Sequence, residues 1–162
     1  AKQSGCVALG LGVESVWQPS LDIVNKEISV QKAKETILFL KANGIEARPY
    51  FMIGLPGEPE NIVELTWNFI EETDPEWVYL SLLTIRPGTE LFNNPKKFGI
   101  KKINTKWDET MHMYGRYEKE IPTLTFEYEE NTPWGKAFSK EKIVDNYLEL
   151  QARIIKSGRG PH

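Results

Sequence analysis

Three short stretches carry the residues best suited to chemistry, and each follows directly on an apolar run. The first is Gly12-Val13-Glu14-Ser15, an anion and a hydroxyl behind Gly10 and Gly12. The two glycines leave room for a ligand to approach the backbone. The second is Gly54-Leu55-Pro56-Gly57-Glu58, and the third is Thr84-Ile85-Arg86-Pro87-Gly88-Thr89-Glu90. Arg86 has the planar donor fork that clamps a carboxylate or phosphate. Each stretch also has a plainer reading. Ser15 would be a turn residue and Glu14 a solvated carboxylate. Pro56-Gly57 would be a turn, with Glu58 favoured before a helix by its dipole. Arg86 would make a surface ion pair. Gly10-Leu11-Gly12 is not a dinucleotide fingerprint, because Ser15 stands where the third glycine belongs.

Other reactive side chains read as structural. His112 lies between Met111 and Met113 with no second histidine at ligand spacing. Cys6 opens an apolar run and behaves as a small hydrophobe. Tyr50 and Trp77 read as packing, and the charge runs at 118–120 and 140–142 as solvated helix faces.

The elements that must position the three stretches follow from periodicity. Cys6–Val13, Glu46–Gly54 and Trp77–Ile85 are near-continuous apolar runs, expected to be buried strands. Between them lie a short helix from Pro19 to about Asn25 and a longer one capped by Ser29. The longer helix carries Val30, Ala33, Ile37 and Leu40 on one face and has Gly44 as its stop. A third helix starts near Glu60, buries Ile62, Leu65 and Phe69, and ends at Asp74-Pro75. Strands alternating with helices of crossover length predict an α/β fold, a parallel βαβαβ unit covered on both faces. In such folds ligands bind at the C-terminal ends of the strands, so the three polar stretches are expected to share one rim. Beyond Gly99 the expectations are a helix over 105–120, an edge strand at Thr123–Tyr128, a turn at Asn131–Gly135 and a strong helix from Ser139. That last helix carries Ile143, Tyr147, Leu150 and Ile154 on one face and stops at Gly158. Ser157–His162 is expected to fray.

The chain has 162 residues, 40% hydrophobic and 27% charged, and a net charge of −3. It is long enough for a real core and too acidic to favour nucleic acid or an anionic membrane. No apolar run approaches the roughly 20 residues of a membrane span. A single cysteine permits no internal disulfide and no cysteine cluster. The expected location is cytoplasmic. The first residue is not Met and an apolar run follows almost at once, so the chain is expected to begin inside a longer protein.

In order and spacing, the three stretches resemble the later strands of the radical S-adenosylmethionine (SAM) superfamily, a partial (β/α)6 TIM-like barrel. Gly12-Val13-Glu14-Ser15, with the helix ending at Ala42-Asn43-Gly44-Ile45, resembles its fourth βα unit. The most specific piece, Phe51-Met52-Ile53-Gly54-Leu55-Pro56-Gly57-Glu58, resembles its fifth strand and turn. Arg86-Pro87-Gly88-Thr89-Glu90-Leu91 resembles the end of its sixth strand. The style is that of the subgroup with an upstream cobalamin-binding domain, the anaerobic magnesium-protoporphyrin ester cyclase type. Residues 1–100 would be the C-terminal half of the barrel, and 101–162 a mainly helical extension with its long helix at about 139–157.

The resemblance implies SAM and a 4Fe-4S cluster as cofactors, with cobalamin as a further one. Glu14 and Ser15 would meet the polar part of SAM, Ile53 and Gly54 would pack against adenine, and Leu83 and Thr84 would present strand backbone to its edge. The superfamily's CxxxCxxC cluster motif is absent and would lie in the missing N-terminal half, so this chain alone is expected to be inactive. Three strands leave an apolar edge open, so self-association is expected. Two rivals remain at this stage. One is a glycosidase-like barrel fragment using Glu14 and Glu58 as paired carboxylates. The other is a non-catalytic α/β interaction domain whose rims are ordinary turns.

Overall fold

The computed structural model describes residues 2–106 and 124–160. Strands β1 (Ala8–Glu14), β2 (Glu46–Ile53) and β3 (Tyr79–Leu82) form a parallel sheet in the order β1-β2-β3. Helices α1 (Gln18–Ile23) and α2 (Val30–Ala42) lie between β1 and β2, and α3 (Ile62–Thr73) lies between β2 and β3. The expected α/β fold with parallel strands in chain order is therefore present. Local chemistry explains the boundaries. Ser29 Oγ accepts the Lys32 N–H at 3.3 Å and caps α2. Gly44, at φ 64°, takes the left-handed conformation just past its last turn.

Two expectations about the sheet are corrected. The third strand is shorter than Trp77–Ile85, because Val78 N–H turns away from β2 and donates to Arg159 O at 2.8 Å. Among the described residues the sheet is also not covered equally on both faces. Along β2, Ala47, Pro49, Phe51 and Ile53 are buried, while Glu46, Arg48, Tyr50 and Met52 are only half-buried. The buried side meets α2 and a long C-terminal helix, α5 (Lys140–Lys156), with Phe51 set edge-on to Phe69 of α3 at 5.9 Å. On the other side Tyr50 lies over Gly10 and stacks on Tyr79 at 4.6 Å. Both ends of the three-strand order are edges. Beside β1, Val7 is 77% and Leu9 38% exposed.

After β3 come a single-turn helix α4 (Glu90–Asn93) and β4 (Ile100–Ile103), which pairs antiparallel with β5 (Phe126–Tyr128). The turn expected at Asn131–Gly135 is a tight hairpin, β6 (Asn131–Thr132) against β7 (Gly135–Lys136). The helix expected over 105–120, with His112, lies outside the described residues apart from its first two positions. Ser139 Oγ caps α5 by accepting the Lys142 N–H at 3.2 Å. Ile143, Tyr147, Leu150 and Ile154 are all buried, in the same cluster as Val13, Phe51, Ile53, Phe69 and Phe126. Each such burial is worth about 1.5–3 kcal/mol. The expected fraying at 157–160 is corrected too. The Arg159 guanidinium bonds Glu71 and Asp74, each at 2.8 Å, and holds the tail against the end of α3. Among the described residues no helix is long and apolar enough to cross a membrane.

Candidate functional site

The rim at the C-terminal ends of the strands is built by three devices. The first is a bulge at the end of β1. Gly12 pairs with Tyr50 and Glu14 with Phe51, so Val13 is an extra residue. Glu14 sits at φ 65°, a left-handed conformation that a non-glycine residue adopts at a cost. The bulge and this twist bring the carboxylate back over Gly12. Glu14 Oε1 lies 2.8 Å from where a Cβ on Gly12 would stand, and 3.2 Å from Lys26 Nζ. A side chain at Gly12 would have to push the end of the Glu14 side chain aside. The Glu14 side chain remains 23% exposed.

Ser15 sets this geometry rather than extending it. It is 3% exposed, its N–H donates to Val13 O at 2.8 Å, and its Oγ accepts the Trp17 N–H at 3.1 Å. The Ser15 hydroxyl thus lies inside the turn.

The second device is the turn after β2. Glu58 is buried with its carboxyl folded back into its own loop. Oε1 accepts the Gly54 and Leu55 N–H groups at 3.0 and 3.1 Å, and Oε2 shares the Gly54 N–H at 3.0 Å. Burial pushes its pKa up to about 8, and the two backbone donors pull it back only in part. Tyr128 of β5 donates its hydroxyl to Gly54 O at 2.8 Å. A Cβ on Gly54 would stand 3.1 Å from Ile143 Cγ2 and 3.7 Å from Leu83 Cβ and Phe126 Cζ. Gly54 therefore admits the close approach of α5, not of a ligand on that side. Ile53 also points its side chain into the helix-covered core, at 1% exposure. Met52, its neighbour in the strand, is the residue whose side chain lies on the less covered face.

The third device is the end of β3. Leu83 is 7% exposed and its N–H is taken by Ile53 O at 2.9 Å, while Thr84 is half-buried. The following Arg86-Pro87-Gly88-Thr89 caps α4. Thr89 Oγ1 accepts the Phe92 N–H at 3.3 Å and donates to Arg86 O at 2.7 Å.

The three devices share one end of the sheet, as expected, but their side chains do different work. Glu14 and Thr84 stay in reach of solvent, while Ser15, Ile53, Gly54 and Leu83 are interior. Glu58 is buried and committed to two N–H groups, so it does not face the rim as one of a pair of catalytic carboxylates. Lys26 and Tyr128, which complete the site, were not singled out by sequence reasoning. Lys26 carries a weak signal, a cation near the start of the next element. Tyr128 carries none, since it lies 74 residues from its partner.

An iron–sulfur cluster finds no ligands in this chain. Its one cysteine, Cys6, directs Sγ at Ala8 O, 3.6 Å away. Among the described residues no group of three or more His, Cys, Asp or Glu is placed to hold a metal ion.

Comparison with known proteins shows what the chain is similar to. The anaerobic magnesium-protoporphyrin IX monomethyl ester cyclase of Rubrivivax gelatinosus is 32% identical over 107 residues, 64% of this chain and 19% of that protein. The enzyme of the same name from Cereibacter sphaeroides is 33% identical over 91 residues, 56% of this chain and 15% of that protein. The chain is a relative of these anaerobic ester cyclases. The cyclase type is the one that the strand-end motifs resemble. A bacteriochlorophyllide d C-12(1)-methyltransferase of Chlorobaculum tepidum aligns at 27% identity over 157 residues, 96% of this chain and 30% of that protein. The chain thus spans less than a third of each relative's length, and its likeness to the methyltransferase runs on through the segment after residue 100. No family model matches the chain.

Proposed function

We propose that this chain supplies the later strands of a radical SAM barrel and binds the nucleoside end of SAM at its rim. The observation that carries the reading is the left-handed Glu14, held at φ 65° so that its carboxylate stands over Gly12. A non-glycine residue stays in that conformation only where the surroundings over-determine it, and such positions cluster at ligand sites. The motif order and the homology to the ester cyclases support the same assignment.

In this reading the SAM hydroxyls or amino group meet Glu14, with Lys26 setting the carboxylate's direction. Ser15 holds the bulge that aims it. Met52 offers apolar surface to adenine. The buried Ile53, Gly54 and Leu83 form the rigid backing, and Thr84 presents the strand edge. When bound, a reduced 4Fe-4S cluster and SAM supply a radical that starts the reaction, with cobalamin as an additional cofactor in this subgroup. The cluster's ligands belong to another part of the polypeptide. The protein's own work is orientation and exclusion of water.

The test uses a longer polypeptide that carries this chain, reconstituted anaerobically with iron and sulfide. 5′-Deoxyadenosine should be released from SAM, and Glu14→Ala should raise KM for SAM about tenfold, the effect of losing one charge-assisted hydrogen bond. Failure of the unmodified protein to release 5′-deoxyadenosine would sink the radical reading.

The open edge of β1 has a partner in this proposal. It pairs with a further parallel strand from the N-terminal half of the same polypeptide, which would continue the barrel. When the chain is isolated, the edge and its exposed Val7 and Leu9 are satisfied by a second copy. Sedimentation of the isolated chain should therefore show dimers or larger species that increase with concentration. A single monomeric species at the highest soluble concentration would remove this part of the proposal.

A further inference from the structure

The Gly54–Leu55 peptide unit is gripped at both of its polar groups. Glu58 takes its N–H, that of Leu55, at 3.1 Å, and the Gly54 N–H beside it at 3.0 Å. Tyr128 gives its hydroxyl to the C=O at 2.8 Å. The first grip is local and travels with the turn. The second comes from β5, in the segment after residue 100, and that segment has braced the tyrosine from both sides. Its ring lies edge-on to Phe126 at 4.9 Å and to Trp134 at 5.2 Å. Trp134 Nε1 is itself tied to Phe98 O at 3.2 Å. A phenol held by two rings and an indole tie is rigid before it reaches its acceptor. Burial, with the Glu58 carboxyl nearby, keeps its pKa well above the ordinary tyrosine value, so it remains a donor.

We infer that Tyr128 is a positioning residue. Through it the C-terminal segment fixes the direction of the Gly54–Leu55 peptide, and with it the turn at the end of β2. The segment after residue 100 is then part of the rim's machinery and not a cover laid over a finished half-barrel. A φ of 99° at Gly54 lies outside the range that side-chain-bearing residues favour, and glycine there has many alternatives. Without the Tyr128 hydroxyl, Glu58 still holds the Leu55 N–H of that peptide, but its carbonyl loses this donor. The consequence for SAM rests on the proposed function above, while the positioning role does not.

The experiment is Tyr128→Phe, which removes one oxygen and keeps the ring packing. In the isolated chain, hydrogen exchange at the Gly54 and Leu55 amides should speed up about tenfold, the effect of one buried hydrogen bond. Amides in the middle of α5 should not change. Unchanged exchange at Gly54 and Leu55, or an equal rise throughout the chain, would overturn the inference, because the hydroxyl would then be decoration or general stabilisation. If Tyr128→Phe fails to fold, Trp134→Phe serves instead. It loosens the brace without touching the turn and should give the same local pattern at smaller size. In the longer reconstituted polypeptide, Tyr128→Phe should raise KM for SAM several-fold and leave kcat close to normal. Local exchange with no SAM turnover in the parent protein would overturn the radical reading and leave the positioning role standing.

Discussion

Glu58→Ala is expected to destabilise the chain by about 2–5 kcal/mol, because it strands two buried N–H donors at once. Glu58→Gln keeps one carbonyl oxygen and should lose about half as much. The pH dependence separates this from simple cavity formation. The carboxyl has an ordinary value of 4.5 and is raised to about 8 in the fold. The folded chain therefore binds the proton more tightly than the unfolded chain. The stabilisation is fully present below pH 4.5 and is lost as pH rises through 8. Carboxylates such as Asp74 act the opposite way. Its hydrogen bond from Lys41, then that from Arg159, lowers its pKa, so it weakens the fold only in acid. Urea titrations from pH 5 to pH 9 should show falling stability in the wild type and a flatter profile in Glu58→Gln. Identical slopes in the two proteins would show that Glu58 carries no raised pKa.

Gly54→Val should be as damaging for a different reason. A β-branched residue at φ 99° is strained, and its Cβ would stand 3.1 Å from Ile143 Cγ2 in a core already filled. The combined cost is about 3 kcal/mol or more. Ile143→Ala on the same background makes room and should recover part of the loss, but the backbone strain stays. Denaturation of the single and double variants measures both terms. A loss below about 1 kcal/mol in Gly54→Val would mean that the turn tolerates a side chain and that α5 does not press against it.

Much of this architecture was legible in the sequence. Apolar runs of strand length, Ser29 and Ser139 as caps and Gly44 as a stop are local signals, and they led to the correct elements in the correct order. The three strand ends fall on one rim for the same reason. What could not be read was the direction of individual side chains. Ile53 and Met52 are adjacent and both apolar, and only the register of β2 tells which faces the core. Ser15 reads as an exposed hydroxyl until the bulge at Val13 turns it inward. The less covered face of the sheet was hidden too, because a run such as Tyr50-Phe51-Met52-Ile53 is apolar on both sides whether or not a second layer covers it. Arg159 looked like part of a loose tail, and its two acidic partners lie more than eighty residues away. The sequence-distant grip of Tyr128 on Gly54 is of the same kind.

One consequence of the α5 packing concerns the order of synthesis. β1, β2, α2 and α3 leave the ribosome long before Ile143, Leu150 and Ile154, yet the core that buries Phe51 and Ile53 includes those later residues. A nascent chain that has just completed β3 therefore carries an apolar face for several seconds, at elongation rates on the order of 5–20 residues per second. Its neighbours on a polysome carry the same face. Trigger-type chaperones that bind apolar nascent segments should occupy this window, and slowing translation between β3 and α5 should lower the soluble yield of the protein without altering any residue in it.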